Sequence, residues 1–211
     1  MYVSLNQYNS TENDSVNRQN ALSDYSPATI SSKPVREITL YLDMDGVLTD
    51  FTGACEKLGK QMMLWFSNDK ERFWKHVTST GAEFWSEMPW MSGGKELYGF
   101  LESSGFCPTI LSALPSPERR KALVDAREGK IKWLRKELGP QYAKNAILCF
   151  RHEKALKSGI SRILIDDNSQ NIHEWEEAGG TGILHKNVNQ TIRCLSKLLE
   201  VEQKIGRLNS T

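Results

Sequence analysis

Short apolar runs separated by amphipathic segments constrain this chain more than any other feature of its sequence. EITLYLD (Glu37 to Asp43), CPTILSA (Cys107 to Ala113), NAILCF (Asn145 to Phe150) and SRILIDD (Ser161 to Asp167) are aliphatic and β-branched and too short for helices. TGILH (Thr181 to His185) is a weaker fifth. Helical patterns lie between them. GKIKWLRKELG sets Ile131, Leu134 and Leu138 on one face and stops at Gly139-Pro140. NSQNIHEWEEAGG has Asn168 or Ser169 as N-cap and Gly179 at its end. Strands alternating with helices predict an α/β fold: a Rossmann-like parallel sheet with helices on both faces.

One interval breaks the rhythm. Residues 52–97 contain no convincing strand but carry amphipathic stretches such as EKLGKQMMLWF and DKERFWKHV, far more chain than an ordinary βα connection uses. We read a small helical cap inserted after the first strand. The organisation expected is then a polar tail over 1–35, a domain over 36–205 with the cap at 52–97, and a flexible C-terminus at 206–211. The tail is rich in Asn, Ser, Gln and Thr without apolar period, so it cannot offset the entropy of being ordered. Glu12, Asp14 and Asp24 argue against a transit peptide there.

With 211 residues, 39% of them hydrophobic, the chain can bury a real core. A formal net charge of +1 gives no pull toward long nucleic acid or acidic membranes. No run approaches the roughly 18 apolar residues of a membrane span. Cys55, Cys107, Cys149 and Cys194 are scattered among apolar neighbours without CxxC spacing, which predicts buried, reduced thiols and a cytoplasmic protein. His152 and His173 are expected to be incidental.

The acids carry the chemistry. In a parallel sheet, ligands bind at the carboxyl ends of the strands. The first strand ends at Asp43, with Asp45 close behind in LDMDGVLTDF, and the fourth ends at Asp166-Asp167. Either motif alone reads as a turn or a helix cap. Together, with the two strands adjacent, they converge on a cluster that repels itself unless a cation occupies it, and hard oxygen donors without His or Cys suit Mg²⁺.

DxDGVxxD after an apolar strand, with ILIDD near the C-terminus, resembles the haloacid dehalogenase-like phosphohydrolases. Within them, LDMDGVLTDF, FW…MPWM…GGKEL and KIKWLRKELG before ILIDD look like the 5'(3')-deoxyribonucleotidases and their phage and bacterial relatives. The resemblance spans about 38–199.

It implies a Mg²⁺-dependent phosphatase with Asp43 as nucleophile and metal ligand. Asp45 would be the proton donor and acceptor, its backbone carbonyl also on the metal. Asp166 and Asp167 complete the ligation, with their division of labour left open. Gly46 permits the sharp exit that keeps both side chains in the site. Ser112, followed by ALPS where the nucleotidases carry Thr-Ser-Pro, and Lys130, with Lys132 as the alternative, would hold the phosphoryl group. Arg151 and Lys154 resemble basic residues near the family's phosphate. Substrate choice would lie in the cap, where Phe51 matches a family pocket position, while Trp85 and Trp90 are candidates for stacking a base and equally for packing.

The expected substrate is thus a small phosphorylated molecule, a (deoxy)nucleoside monophosphate first. Another metabolite, a phosphoprotein or a 3'-phosphorylated nucleic acid end is the alternative, and a silent binding protein on the same fold the third reading. Neither long nucleic acid nor membrane is expected as partner; a homodimer is compatible with the sequence.

Overall fold

The β-branched and aliphatic runs form five strands: β1 Thr39–Leu42, β2 Thr109–Ala113, β3 Ile147–Cys149, β4 Arg162–Asp166 and β5 Thr181–Leu184. The structure, a computed structural model, describes residues 38–208 and the side chains of 38–200. The strands make one sheet in the order β3-β2-β1-β4-β5, every pairing parallel. The fold is therefore α/β and Rossmann-like, as the alternation predicts. Leu42 sits beside Ile110 of β2 on one side and Ile165 of β4 on the other, so the register aligns the strand ends that carry the acids.

The helices are α1 Phe51–Leu58, α2 Met62–Asn68, α3 Lys70–Thr80, α4 Glu83–Ser86, α5 Gly94–Ser103, α6 Arg120–Glu137, α7 Pro140–Asn145, α8 Ser169–Glu177 and α9 Val188–Leu208. A 3-10 helix, Arg151–Lys157, follows β3. The chain steps one way from β1 to β2 to β3 and the other way from β4 to β5. Crossovers of one hand then fall on opposite faces. Leu40, Leu42, Ile163 and Ile165 pack in the larger core with Leu97 and Leu101 of α5, Leu134 of α6 and Leu195 of α9. Their alternating neighbours Tyr41, Leu111 and Leu164 pack on the other face with Ile172 and Trp175 of α8. Period-two alternation is thus hydrophobic on both sides, as a doubly covered parallel sheet requires.

The helix boundaries add detail to the sequence reading. Helix α6 begins at Arg120, well before GKIKWLRKELG, because VDARE continues the helical turn without a breaker. Gly139 ends it at φ +106°, but Pro140 then opens the short α7 as a first-turn proline. Helix α9 runs to Leu208, three residues into the segment 206–211 expected to be flexible; the tail over 1–35 and residues 209–211 lie outside the described residues. The cysteines are free, but only Cys55 is buried: Cys149 and Cys194 are half-buried and Cys107 is exposed, since it precedes the first paired residue of β2. Among the described residues no helix is long and apolar enough to cross a membrane.

Helices α1 to α4 occupy the long interval after β1. Phe51, Phe66, Phe73, Phe84 and Trp85 cluster among them, with ring centroids 5.0 to 6.3 Å apart in the contacting pairs. Helix α4 is seated against α6 at Gly129, where a Cβ would lie 2.3 Å from the Ala82 carbonyl oxygen and 2.4 Å from the Trp85 Cβ. Backbone cannot yield there as a flexible side chain could. Gly129→Ala is expected to destabilise the protein by about 1–3 kcal/mol, the usual range for overpacking, although alanine favours the helix; urea unfolding monitored by circular dichroism measures it.

Candidate active site

At β1 the topology reverses direction, and in an open α/β sheet that reversal is where ligands bind, beyond the carboxyl ends of the strands. Asp43 continues the ladder one residue past β1, its N–H donating to the Ile165 carbonyl at 2.9 Å. The chain then turns tightly: the Thr49 and Leu48 amides both donate to the Met44 carbonyl at 2.8 Å. Gly46 makes this turn with φ +79°, and a Cβ there would collide with the Asp167 carboxylate. The same glycine therefore lets Asp167 lie over the loop of Asp43 and Asp45. Asp50 accepts from the Gly53 amide at 2.8 Å and caps α1, taking no part in the cluster.

Carboxylate oxygens of Asp43, Asp166 and Asp167 lie within 4.8 Å of one another. Two buried lysines enter this group. Lys154, from the 3-10 helix, forms an ion pair with Asp43 Oδ1 at 2.9 Å and donates to Asp166 Oδ2 at 2.7 Å. Lys130, from α6, donates to Asp45 Oδ2 at 2.5 Å, Ser112 Oγ at 2.8 Å and the Ala113 carbonyl at 2.8 Å. An ammonium has three protons, and those of Lys130 are all used. Four carboxylates (Asp43, Asp45, Asp166, Asp167) thus face two ammoniums, a balance of two negative charges.

The electrostatics follow from that excess. Burial, reinforced by the charge of Asp166, pushes the Asp43 carboxyl up to about 8 against the pull of Lys154. Burial and Asp166 likewise raise Asp167 to about 6. For Lys154 burial acts downward, but Asp43 and Asp166 outweigh it and its pKa rises. Three carboxylates gathered within 4.8 Å, with oxygen donors only, fit a divalent hard cation.

The acids are not equivalent. Asp166 is fully buried and saturated by the protein: Lys154 on Oδ2, the Asn168 amide on Oδ1 at 2.9 Å, and Asn171 Nδ2 at 3.0 Å from both oxygens. Asp167 is exposed and forms no ion pair among the described residues. Asp43 Oδ1 takes Lys154 and its neighbour's amide, Met44 N–H, at 2.8 Å, which leaves Oδ2 without a donor among the described residues. Asp45 turns its side chain away from the triad, toward Lys130 and toward Thr49 Oγ1 at 3.1 Å.

The structure therefore brings together Asp43, Asp45, Gly46, Ser112, Lys130, Lys154, Asp166 and Asp167. Of the two lysines weighed on α6, Lys130 reaches Ser112 and Lys132 pairs with Glu128 at the surface. Arg151 stands at the rim, bonded to Glu174 at 2.9 Å and to Asn171 at 3.2 Å rather than to the cluster. Phe51 and Trp85 face each other nearly parallel, centroids 5.8 Å apart at 30°. Trp90 packs on Trp133 and donates to Glu137 at 2.7 Å. His152 stacks beside Phe150, and His173 is exposed.

Sequence reasoning missed Asn171 and Thr49, which orient Asp166 and Asp45; an asparagine five residues after a strand-ending acid, on the first turns of the next helix, was the available signal. A separate cavity of about 520 Å³ lies between α3 and the start of α6, lined by Trp74, Lys75, Ser116 and Arg119 among others; none of the clustered acids lines it.

No family model matches the sequence, and no curated protein matches it. Among solved structures the chain is similar to a hydrolase from Streptococcus pneumoniae TIGR4, at 11% identity and TM-score 0.43 over 75% of this chain and 97% of that one. It is also similar to a HAD-superfamily hydrolase from Ehrlichia chaffeensis, at 13% identity and TM-score 0.41 over 76% of this chain and 97% of that one. A dehalogenase is similar at 11% identity and TM-score 0.38, over 69% and 83%. Likeness this distant carries no inference about residues.

Between about pH 4 and pH 8 the folded protein keeps a proton on Asp43 that the unfolded chain releases, so stability falls as pH rises through that window. In divalent-free buffer the urea midpoint is expected to drop from pH 5 to pH 8. Asp43→Asn should flatten the upper part of that slope, leaving the contribution of Asp167 below about pH 6.

Proposed function

We propose that this chain is a Mg²⁺-dependent phosphomonoester hydrolase working through an aspartyl-phosphate, with deoxynucleoside monophosphates as its first substrate class. The observation that carries the reading is the orientation of Asp43, which has one oxygen fixed by Lys154 and Met44 N–H and the other without a donor. A carboxylate held in this way is a positioned nucleophile rather than a structural ion pair.

The metal would be held by Asp43, Asp166 and Asp167, whose carboxylate oxygens lie within 4.8 Å of one another, together with the Asp45 backbone carbonyl. Mg²⁺ supplies charge neutralisation, which lets an anionic carboxylate approach an anionic phosphate. Asp166 also keeps the Lys154 ammonium against Asp43.

Each remaining step belongs to a side chain. The phosphoryl group binds against Ser112 and Lys130, and a phosphoryl oxygen accepts the Lys130 N–H hydrogen bond that Asp45 accepts in its absence. That exchange frees Asp45 to face the leaving group. Asp43 Oδ2 attacks phosphorus as the ester P–O bond breaks, and the departing oxygen takes a proton that Asp45 picks up from solvent on leaving Lys130. Asp45, now a carboxylate, takes a proton from water; the water oxygen bonds to phosphorus, the Asp43–phosphorus bond breaks, and inorganic phosphate leaves. The preference for a nucleotide rests on the resemblance of LDMDGVLTDF to the deoxyribonucleotidases, in which Phe51 matches a pocket position.

Released phosphate, measured with and without Mg²⁺ across deoxy- and ribonucleoside 5'- and 3'-monophosphates, sugar phosphates and a phosphopeptide, tests the reading. Turnover is expected to require Mg²⁺, to disappear with a chelator and to favour nucleotides. Asp43→Asn should lower it by at least about 10³-fold while the circular dichroism spectrum is unchanged. Substantial turnover by that variant would refute the nucleophile assignment.

A further inference from the structure

Indole N–H groups buried in this protein find acceptors, with one exception. Trp90 donates to Glu137 at 2.7 Å, Trp133 to the Met88 carbonyl at 2.9 Å and Trp175 to the Arg162 carbonyl at 3.3 Å. Trp85 is 2% exposed, yet its Nε1 is the buried side-chain polar atom that no group among the described residues satisfies. A buried donor without an acceptor is costly, and an indole nitrogen can only donate. Such a group calls for an explanation in the ligand chemistry of the place it occupies.

That place is specific. Trp85 is held from behind by its seat against Gly129, the residue before Lys130. The Lys130 ammonium lies 5.2 Å from the Trp85 ring centroid and bonds directly to Asp45 and Ser112. Phe51, eight residues past Asp43, covers the indole nearly parallel, while Phe84 meets it edge-on at 5.0 Å and 89°. The donor is thus one residue removed from the acid that faces the leaving group, in walls otherwise made of hydrocarbon. Lys130 uses all its protons on Asp45, Ser112 and Ala113, so it has none for the leaving group.

We propose that Trp85 Nε1–H donates a hydrogen bond to a neutral oxygen acceptor on the leaving group, a sugar oxygen or a base carbonyl, and so selects against phosphate esters that lack one. The inference rests on the phosphohydrolase reading and deepens it. Reaching the indole then requires Phe51, which covers it, to swing aside, while α4 stays seated on α6. A site built to donate to an acceptor discriminates strongly against an analogue without it, because the donor is then left buried and unpaired.

Trp85→Phe keeps the ring against Phe51 and removes the donor. Its kcat/KM is measured on deoxyuridine 5'-monophosphate, deoxyribose 5-phosphate and phenyl phosphate. The loss relative to the unsubstituted protein is expected to be about tenfold or more greater on the nucleotide than on phenyl phosphate, and to fall mainly in KM. A loss shared by deoxyribose 5-phosphate assigns the acceptor to the sugar; one confined to the nucleotide assigns it to the base. Equal losses on all three substrates, with the unsubstituted protein active, overturn this inference and leave the phosphohydrolase reading standing. No turnover of any of them by the unsubstituted protein overturns both.

A second measurement does not depend on that variant folding. In Asp43→Asn, which retains Trp85, deoxyuridine monophosphate should move the Trp85 indole proton resonance downfield. A resonance that stays in place while the phosphate signal reports binding overturns the proposal.

Discussion

The ammonium of Lys154 is the interaction on which the rest of the site depends. It ties Asp43 at the end of β1 to Asp166 at the end of β4, so the two central strands finish in one electrostatic unit rather than in two repelling acids. Burying such a group is tolerable only because its acceptors are charged and close. The same contact fixes which oxygen of Asp43 remains available, and it keeps Asp166 buried beside Asp43 while Asp167 stays at the surface.

From this centre outward the protein uses progressively softer supports. Asn171 and the Asn168 amide complete the shell of Asp166, so the start of α8 serves as much to orient an acid as to cover the sheet. Thr49 and Lys130 do the same for Asp45. Such outer partners fix the geometry of a reactive centre within the few tenths of an ångström that chemistry demands. The helices after β1 contribute aromatic walls, whose contacts are less directional.

The fold was largely legible in the sequence because each strand is bounded by turn residues and carries a continuous apolar run, the pattern of a sheet covered on both faces. Asp43, Asp45, Asp166 and Asp167 were legible for a related reason: acids that close apolar strands have few structural explanations. Other features could not be read. Which of two adjacent aspartates is spent on protein donors depends on where Asn171 and Lys154 arrive from, and those residues are separated from the strand end by turns of variable geometry. Helix α6 was read too short because its first turns are polar and carry little periodicity, though nothing in them stops a helix. Cys107 was misjudged because apolar neighbours in sequence do not bury a residue that precedes the paired part of its strand.

The close seat of α4 on α6 divides the molecule into parts with different freedom to change. A glycine that permits backbone contact at Ala82 also forbids sliding, so Trp85 is fixed in the frame of Lys130 while α1 to α3 are attached mainly through aromatic packing. Lineages that retune what binds at the strand ends can therefore remodel α1 to α3 at little risk to the acids. Any change at Gly129 would disturb the settings of Trp85 and Lys130 together, making that position an evolutionary bottleneck rather than a simple packing detail.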